Sequence, residues 1–120
     1  MRVPIQYALT YPKRVKNPFP RVDFTKRSNL TFETPDMETF PCLSFAYRAL
    51  QTGGTLPAVL NGANEIAVAR FLAGDISFLE IPALIERTMD AYTVKYEYTL
   101  EDLLEADAWA RAYAKSVSFK

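Results

Sequence analysis

The 120-residue sequence contains no histidine, and this absence excludes several kinds of active site. A Ser–His or Cys–His nucleophile pair cannot form, and the commonest general base and metal ligand near neutral pH is missing. No P-loop is present, and no glycine-rich turn joins a strand to a helix, so no nucleotide-phosphate site is indicated. The carboxylates Glu80, Glu86 and Asp90 are more simply a solvated helix face than a metal site. We therefore predict no catalytic residue and no metal ligand in this chain.

Other features are also scarce. The single cysteine, Cys42, excludes an internal disulfide and suits a reducing compartment. Lys plus Arg equals Asp plus Glu, at 14 each, so the positive excess typical of nucleic-acid binding is lacking. No apolar run approaches the ~18 residues of a transmembrane helix, and the N-terminus lacks the pattern of a secretory signal. We predict no nucleic-acid partner, no membrane contact and one domain preceded by an arm.

The first 36 residues have the pattern of an arm rather than of a core. Residues 2–9 form a short helical pattern that is ended by Tyr11-Pro12, and residues 12–20 form an extended linker that is rich in proline and basic residues. This basic run is either a phosphate-binding patch or a solvated linker, and the linker is favoured. Residues 22–24 and 30–32 alternate like short β-strands. Because a lone two-stranded piece is marginally stable, these strands are expected to pair outside this segment.

Residues 37–120 show four helical patterns, at about 40–52, 56–74, 82–92 and 100–117. In the first, one apolar stripe is widened by a second group of apolar residues. The stripe contains Leu43, Ala46, Tyr47 and Leu50, and the widening residues are Cys42, Phe45 and Ala49. Short connections favour an antiparallel bundle. The predicted fold is mainly α, with a four-helix bundle-like C-terminal domain preceded by an extended arm with short β-strands.

The pattern at 56–74 is apolar almost all round, which is typical of a central helix. Its exception is a polar edge at i, i+3 and i+4, formed by Asn61, Asn64 and Glu65. This edge is either the wall of a ligand site or a hydrogen-bonded structural network, and the network is favoured because buried polar groups are usually paired. Gly62 beside it predicts close approach by a neighbouring element.

Several motifs, in order along the chain, resemble those of one enzyme family. They are MRVPI at the start, VDF, LTF and PD in the arm, FPCL, GT and PAVLNGANEIAV in the helical part, and EADAWAR near the end. Together they resemble the C-terminal part of 1-deoxy-D-xylulose 5-phosphate reductoisomerase over nearly the whole chain. The resemblance implies residues 1–12 as the end of a catalytic domain, 13–36 as a linker arm and 37–120 as a helical C-terminal domain.

In that family, an NADPH-dependent enzyme of non-mevalonate isoprenoid biosynthesis converts its substrate to 2-C-methyl-D-erythritol 4-phosphate. The resemblance implies that NADPH and a divalent metal (Mg, Mn or Co) bind upstream, with no cofactor bound by this segment alone. Only Met1 aligns with a residue near the nicotinamide and substrate. The implied partners are the upstream NADPH-binding and catalytic domains and a second subunit, in the cytoplasm of a bacterium or in a plastid.

The resemblance gives Asn61, Asn64 and Glu65 no functional role, which strengthens the structural interpretation. The chain alone is expected to be inactive. The alternative is a stand-alone helical protein-binding module that reuses this domain.

Overall fold

The computed structural model describes residues 2–26 and 30–119, which contain five α-helices and no strand. The helices are α1 (Arg2–Thr10), α2 (Cys42–Thr52), α3 (Leu56–Leu72), α4 (Glu80–Ala91) and α5 (Leu100–Ser116), with a short 3-10 helix at Phe24–Lys26. The chain divides into two compact units, one up to Glu33 and one from Thr34 onward. The prediction of a mainly helical chain with a helical C-terminal domain is confirmed.

In the first unit, the segment after α1 does not extend away as a free linker. Asn17 Nδ2 donates to Gln6 Oε1 at 2.8 Å, and Gln6 Nε2 donates to the Val15 carbonyl at 3.4 Å. The Arg14 guanidinium lies 4.3 Å from the centre of the Tyr7 ring, which is a cation–π contact. Residues 13–19 therefore fold back on α1, because side chains of the helix offer hydrogen-bond and aromatic partners.

The two strands predicted in the arm are not present in the residues that the structure describes. Phe24 begins the 3-10 helix, whose turn is fixed by Asp23 Oδ1 accepting from the Thr25 amide at 3.0 Å. Residues 30–32 have no regular structure, and the Phe32 side chain is 88% exposed. An isolated strand has no partner for its backbone N–H and C=O groups, so the alternating pattern alone does not produce one.

In the second unit, α3 is the central helix, as its pattern predicted. It packs against α2, α4 and α5. Its buried positions are Leu56, Val59, Gly62, Ala63 and Ala67. Three of these five residues are glycine or alanine, which lets neighbouring helices approach closely.

Helix α5 packs on α3 through small side chains. Ala106, Ala110 and Ala114 recur every fourth residue and are at most 2% exposed. A capping box begins α5: the Thr99 side chain accepts from the Asp102 amide, and Asp102 accepts from the Thr99 amide. This cap sets where α5 begins after residues 92–99, which are not helical.

Helix α2 turns its predicted stripe outward. Phe45 and Ala49 are buried, whereas Leu43, Tyr47 and Leu50 are 42%, 52% and 74% exposed. Helix α2 packs on α3 and α4, so one side of the helix is covered. The side that widened the predicted stripe is therefore the side that faces the core.

Candidate functional site

The predicted polar edge lies on the outer side of α3, with all three side chains exposed. Glu65 Oε2 lies 2.7 Å from Arg111 Nη2 on α5. Asn61 Nδ2 donates to Glu65 Oε1 at the long distance of 3.4 Å, whereas the Asn64 side chain lies in solvent. The structure thus brings Asn61 and Glu65 together at the surface, where an unpaired polar group costs little because water can replace its partner.

Arg111 is the centre of this surface cluster. Its Nε donates to Asp107 Oδ2 at 2.7 Å, one helical turn back on α5. The Asp107 carboxylate, and then that of Glu65, holds the pKa of Arg111 above its ordinary value. The guanidinium therefore stays charged and ties α3 to α5, which is a structural role rather than a chemical one.

Gly62 lies on the side of α3 that faces α5. A Cβ atom at this position would lie 3.0 Å from Asp107 Oδ1 and 3.1 Å from the Asp107 carbonyl oxygen. The close approach that the glycine predicted is confirmed. The surface ion pair of Arg111 and the buried contact of Gly62 therefore flank the same helix–helix seam.

A second contact between α3 and the end of α5 could not be seen from motif spacing. Arg70 Nη1 donates to the carbonyl oxygens of Ala114, at 2.8 Å, and Val117, at 2.7 Å. The Ala114 carbonyl lies in the last turn of α5 and the Val117 carbonyl directly after it, where backbone acceptors lack helical partners. Arg70 therefore caps α5 from a different helix, which fixes the C-terminal end of the seam.

Thr55, in the turn between α2 and α3, is a fully buried polar residue that sequence reasoning missed. Its hydroxyl donates to the Tyr92 hydroxyl at 3.1 Å and accepts from the Lys95 amide at 3.1 Å. The Thr55 amide also donates to the Lys95 carbonyl at 3.1 Å. This turn is thereby fastened to the segment that follows α4, and the segment's polar groups are satisfied.

Glycine is needed at position 54, directly before Thr55, for two reasons. Its φ of 58° lies in the left-handed region, and a Cβ would lie 2.5 Å from the Lys95 carbonyl oxygen. A glycine pair is typical of a helix end, so the sequence alone gives no sign of this docking contact.

A cleft of about 470 Å³ opens between the segment after α4 and α5, with Tyr92, Lys95, Asp102 and Trp109 in its wall. Lys95 Nζ lies 2.7 Å from Asp102 Oδ1 and 3.8 Å from Glu105 Oε2. The ammonium group of Lys95, with the Thr99 amide, lowers the pKa of Asp102 to about 2. Asp102 is therefore ionised near neutral pH and paired with the Lys95 ammonium group.

The three carboxylates considered for metal binding do not converge. Glu80 Oε2 accepts from the Ser77 amide at 2.6 Å, and Asp90 Oδ1 accepts from Arg48 at 2.6 Å. Over residues 2–26 and 30–119, no group of three or more His, Cys, Asp or Glu side chains could hold a metal ion. The donor set of this segment therefore does not fit a divalent cation.

Met1, the residue predicted to lie near a nicotinamide, is outside the residues that the structure describes. None of the described helices is long and apolar enough to cross a membrane.

Comparison with known proteins gives a consistent result. Residues 1–113 match the family model described as the DXP reductoisomerase C-terminal domain. The 1-deoxy-D-xylulose 5-phosphate reductoisomerases of Acetivibrio thermocellus and Trichlorobacter lovleyi are 50% and 53% identical over 117 residues. In both, the match covers 98% of this chain. It covers 31% of the first relative and 30% of the second, so the chain spans less than a third of either.

Solved structures of the enzyme match as well. The reductoisomerase of Zymomonas mobilis in complex with NADPH has a TM-score of 0.81 and 45% identity, over 96% of this chain and 30% of that one. A DOX-P reductoisomerase in complex with NADPH, fosmidomycin and magnesium has a TM-score of 0.75 and 33% identity, over 95% of this chain and 30% of that one.

Proposed function

We propose a supporting, non-catalytic role for this chain, which belongs to the DXP reductoisomerase family and matches its C-terminal domain. The whole enzyme would convert 1-deoxy-D-xylulose 5-phosphate to 2-C-methyl-D-erythritol 4-phosphate with NADPH, as a step of isoprenoid biosynthesis. This segment would stabilise its own part of the enzyme, and the upstream domains would contain the catalytic residues.

One observation carries this proposal: the charged groups along the α3–α5 seam are engaged in holding these two helices together. Arg111 bonds Asp107 and pairs with Glu65, whereas Arg70 caps the end of α5. A catalytic site instead needs groups that are free to contact a substrate and to exchange protons. Of the predicted network of Asn61, Asn64 and Glu65, we assign Glu65 to this structural role through its ion pair with Arg111, with Asn61 bonded to it.

The cofactors would be bound elsewhere in the enzyme. The two solved structures named above are complexes with NADPH, and one of them also contains magnesium. We propose that NADPH and the divalent metal bind to upstream domains and that Met1 lies at the edge of that site. We also keep the division into 1–12, 13–36 and 37–120 as a proposal for the parent enzyme.

The arm is proposed to complete its strands with a partner. Residues 22–24 and 30–32 alternate between apolar and polar residues, and Val22, Leu30 and Phe32 are more than 60% exposed here. An exposed apolar segment with unpaired backbone groups suits strand addition to another sheet. The expected partner is the sheet of the catalytic domain at the interface of a homodimer, in the cytoplasm of a bacterium.

An activity assay of three preparations tests the proposal. They are this chain alone, the Acetivibrio thermocellus relative without the segment that this chain matches, and the two mixed. NADPH oxidation is followed with 1-deoxy-D-xylulose 5-phosphate and Mn²⁺. We expect no turnover by the chain alone and more turnover by the mixture than by the upstream portion. Turnover by the chain alone would refute the supporting role.

A further inference from the structure

Helix α2 is apolar on two sides. At about 100° per residue, its apolar positions occupy roughly 200° of the circumference, more than a single-sided surface helix needs. Phe45 and Ala49 use one half of this arc against α3 and α4. The other half contains Leu43, Tyr47 and Leu50, which remain between 42% and 74% exposed.

The polar residues of α2 lie on a third side. Arg48 is among them, and its Nη2 lies 2.6 Å from Asp90 Oδ1 on α4. This pair marks the border between the covered side and solvent. The helix therefore has one polar side that faces solvent and a second apolar side, whose exposure to water is unfavourable.

The segment just before α2 also has exposed apolar side chains. Met37 and Phe40, just before the helix, are 37% and 57% exposed. Exposed apolar side chains gathered along one stretch of chain indicate an interaction surface. We define Met37, Phe40, Leu43, Tyr47 and Leu50 as the α2 face.

We propose that the α2 face is the surface on which the upstream catalytic portion of the enzyme docks. This inference rests on the proposed function. More than two thirds of each matched relative lies outside the segment that this chain represents. Because the matched family is a C-terminal domain, that portion precedes the chain, and α2 is the first helix of the second unit. The face is also uncharged, which suits a lasting apolar contact within one enzyme.

Calorimetric titration of the complete chain into the upstream portion of the Acetivibrio thermocellus relative tests this proposal. The folding of that portion is first checked by circular dichroism. The test variant is Leu50→Gln, and the matched control is Leu72→Gln. These leucines are 74% and 77% exposed, but Leu72 lies at the end of α3, outside the α2 face. Glutamine has nearly the helix propensity of leucine, so both variants should fold as the unmodified chain does.

We expect Leu50→Gln to raise the dissociation constant about ten- to hundredfold, because the variant loses the burial of one leucine side chain. Leu72→Gln should leave the constant within about twofold of the unmodified chain, because surface substitutions away from an interface have small effects. This pattern, with unchanged melting temperatures, supports the α2 face as the docking surface.

Three results would overturn the inference, and they are distinguishable. Equal binding by the unmodified chain and Leu50→Gln removes the α2 face but leaves the proposed function intact. No binding by the unmodified chain removes both. If sedimentation shows that the chain self-associates and that Leu50→Gln makes it monomeric, the face is covered by a second copy instead.

Discussion

Replacing Gly54 with alanine tests how the α2–α3 turn docks on the segment after α4. The new Cβ would lie 2.5 Å from the Lys95 carbonyl oxygen and 2.8 Å from Val94 Cγ1. The first of these atoms belongs to the backbone, so a rotamer change cannot relieve the contact. Residues 94 and 95 would have to move away, which strains the two hydrogen bonds between Thr55 and the Lys95 backbone.

The expected cost has three parts. A left-handed φ costs a non-glycine residue about 1–2 kcal/mol. Overpacking a well-filled site costs about 1–3 kcal/mol. The lower entropy of the unfolded alanine chain offsets about 0.4–1 kcal/mol of this. We therefore expect Gly54→Ala to lower the free energy of unfolding by about 2–4 kcal/mol.

Gly74→Ala is the matched control. Gly74 also has a positive φ, of 80°, but no atom lies within 4 Å of its Cβ position. Gly74→Ala should therefore lower the free energy of unfolding by only about 1 kcal/mol, because only the left-handed φ contributes.

Urea unfolding of both variants measures the difference. The single tryptophan, Trp109, reports on this region, because its ring centre lies 4.9 Å from that of Tyr92, which bonds Thr55. If Gly54→Ala costs no more than Gly74→Ala, the turn is not docked as described.

Three further predictions use the same unfolding assay. Thr55→Val should cost about 1–2 kcal/mol because it leaves the part-buried Tyr92 hydroxyl and the Lys95 amide without their partner. Thr88→Val, which loses a bond within its own helix, should cost less than about 1 kcal/mol; equal losses would contradict this. Glu65→Leu should lower the melting temperature by only about 1–4 °C, since a half-exposed ion pair contributes little to stability. An unchanged melting temperature would count against the network, and a large drop would indicate a buried ion pair. The pKa of Asp102 is depressed from 3.8 to about 2, so its contribution is full above pH 4 and lost as pH falls toward 2. The stability difference between the unmodified chain and Asp102→Asn should therefore shrink over that range, and a constant difference would refute the assignment.

Local signals predicted much of the helical unit. The all-round apolar pattern of α3 predicted its central place. Gly62 predicted a close neighbour, which is Asp107 on α5. Each of these signals depends on residues within a few turns of one helix, where spacing determines geometry.

Features that depend on distant partners were not predictable in the same way. The apolar arc of α2 did not reveal which half faces the core, because both halves are apolar. The role of Thr55 depends on Tyr92 and Lys95, which lie 37 and 40 residues further along the chain. Strands at residues 22–24 and 30–32 need backbone partners that this chain does not provide in the residues described.

The central claim is that this chain is the supporting C-terminal domain of a reductoisomerase and carries none of its chemistry. It is tested most directly by replacing the matched segment of the Acetivibrio thermocellus relative with this chain, which is 50% identical to it over 117 residues. NADPH oxidation is then measured for this chimera and for the chain alone, with substrate and Mn²⁺ present. We predict turnover by the chimera and none by the chain. A folded but inactive chimera, or turnover by the chain itself, would contradict the account.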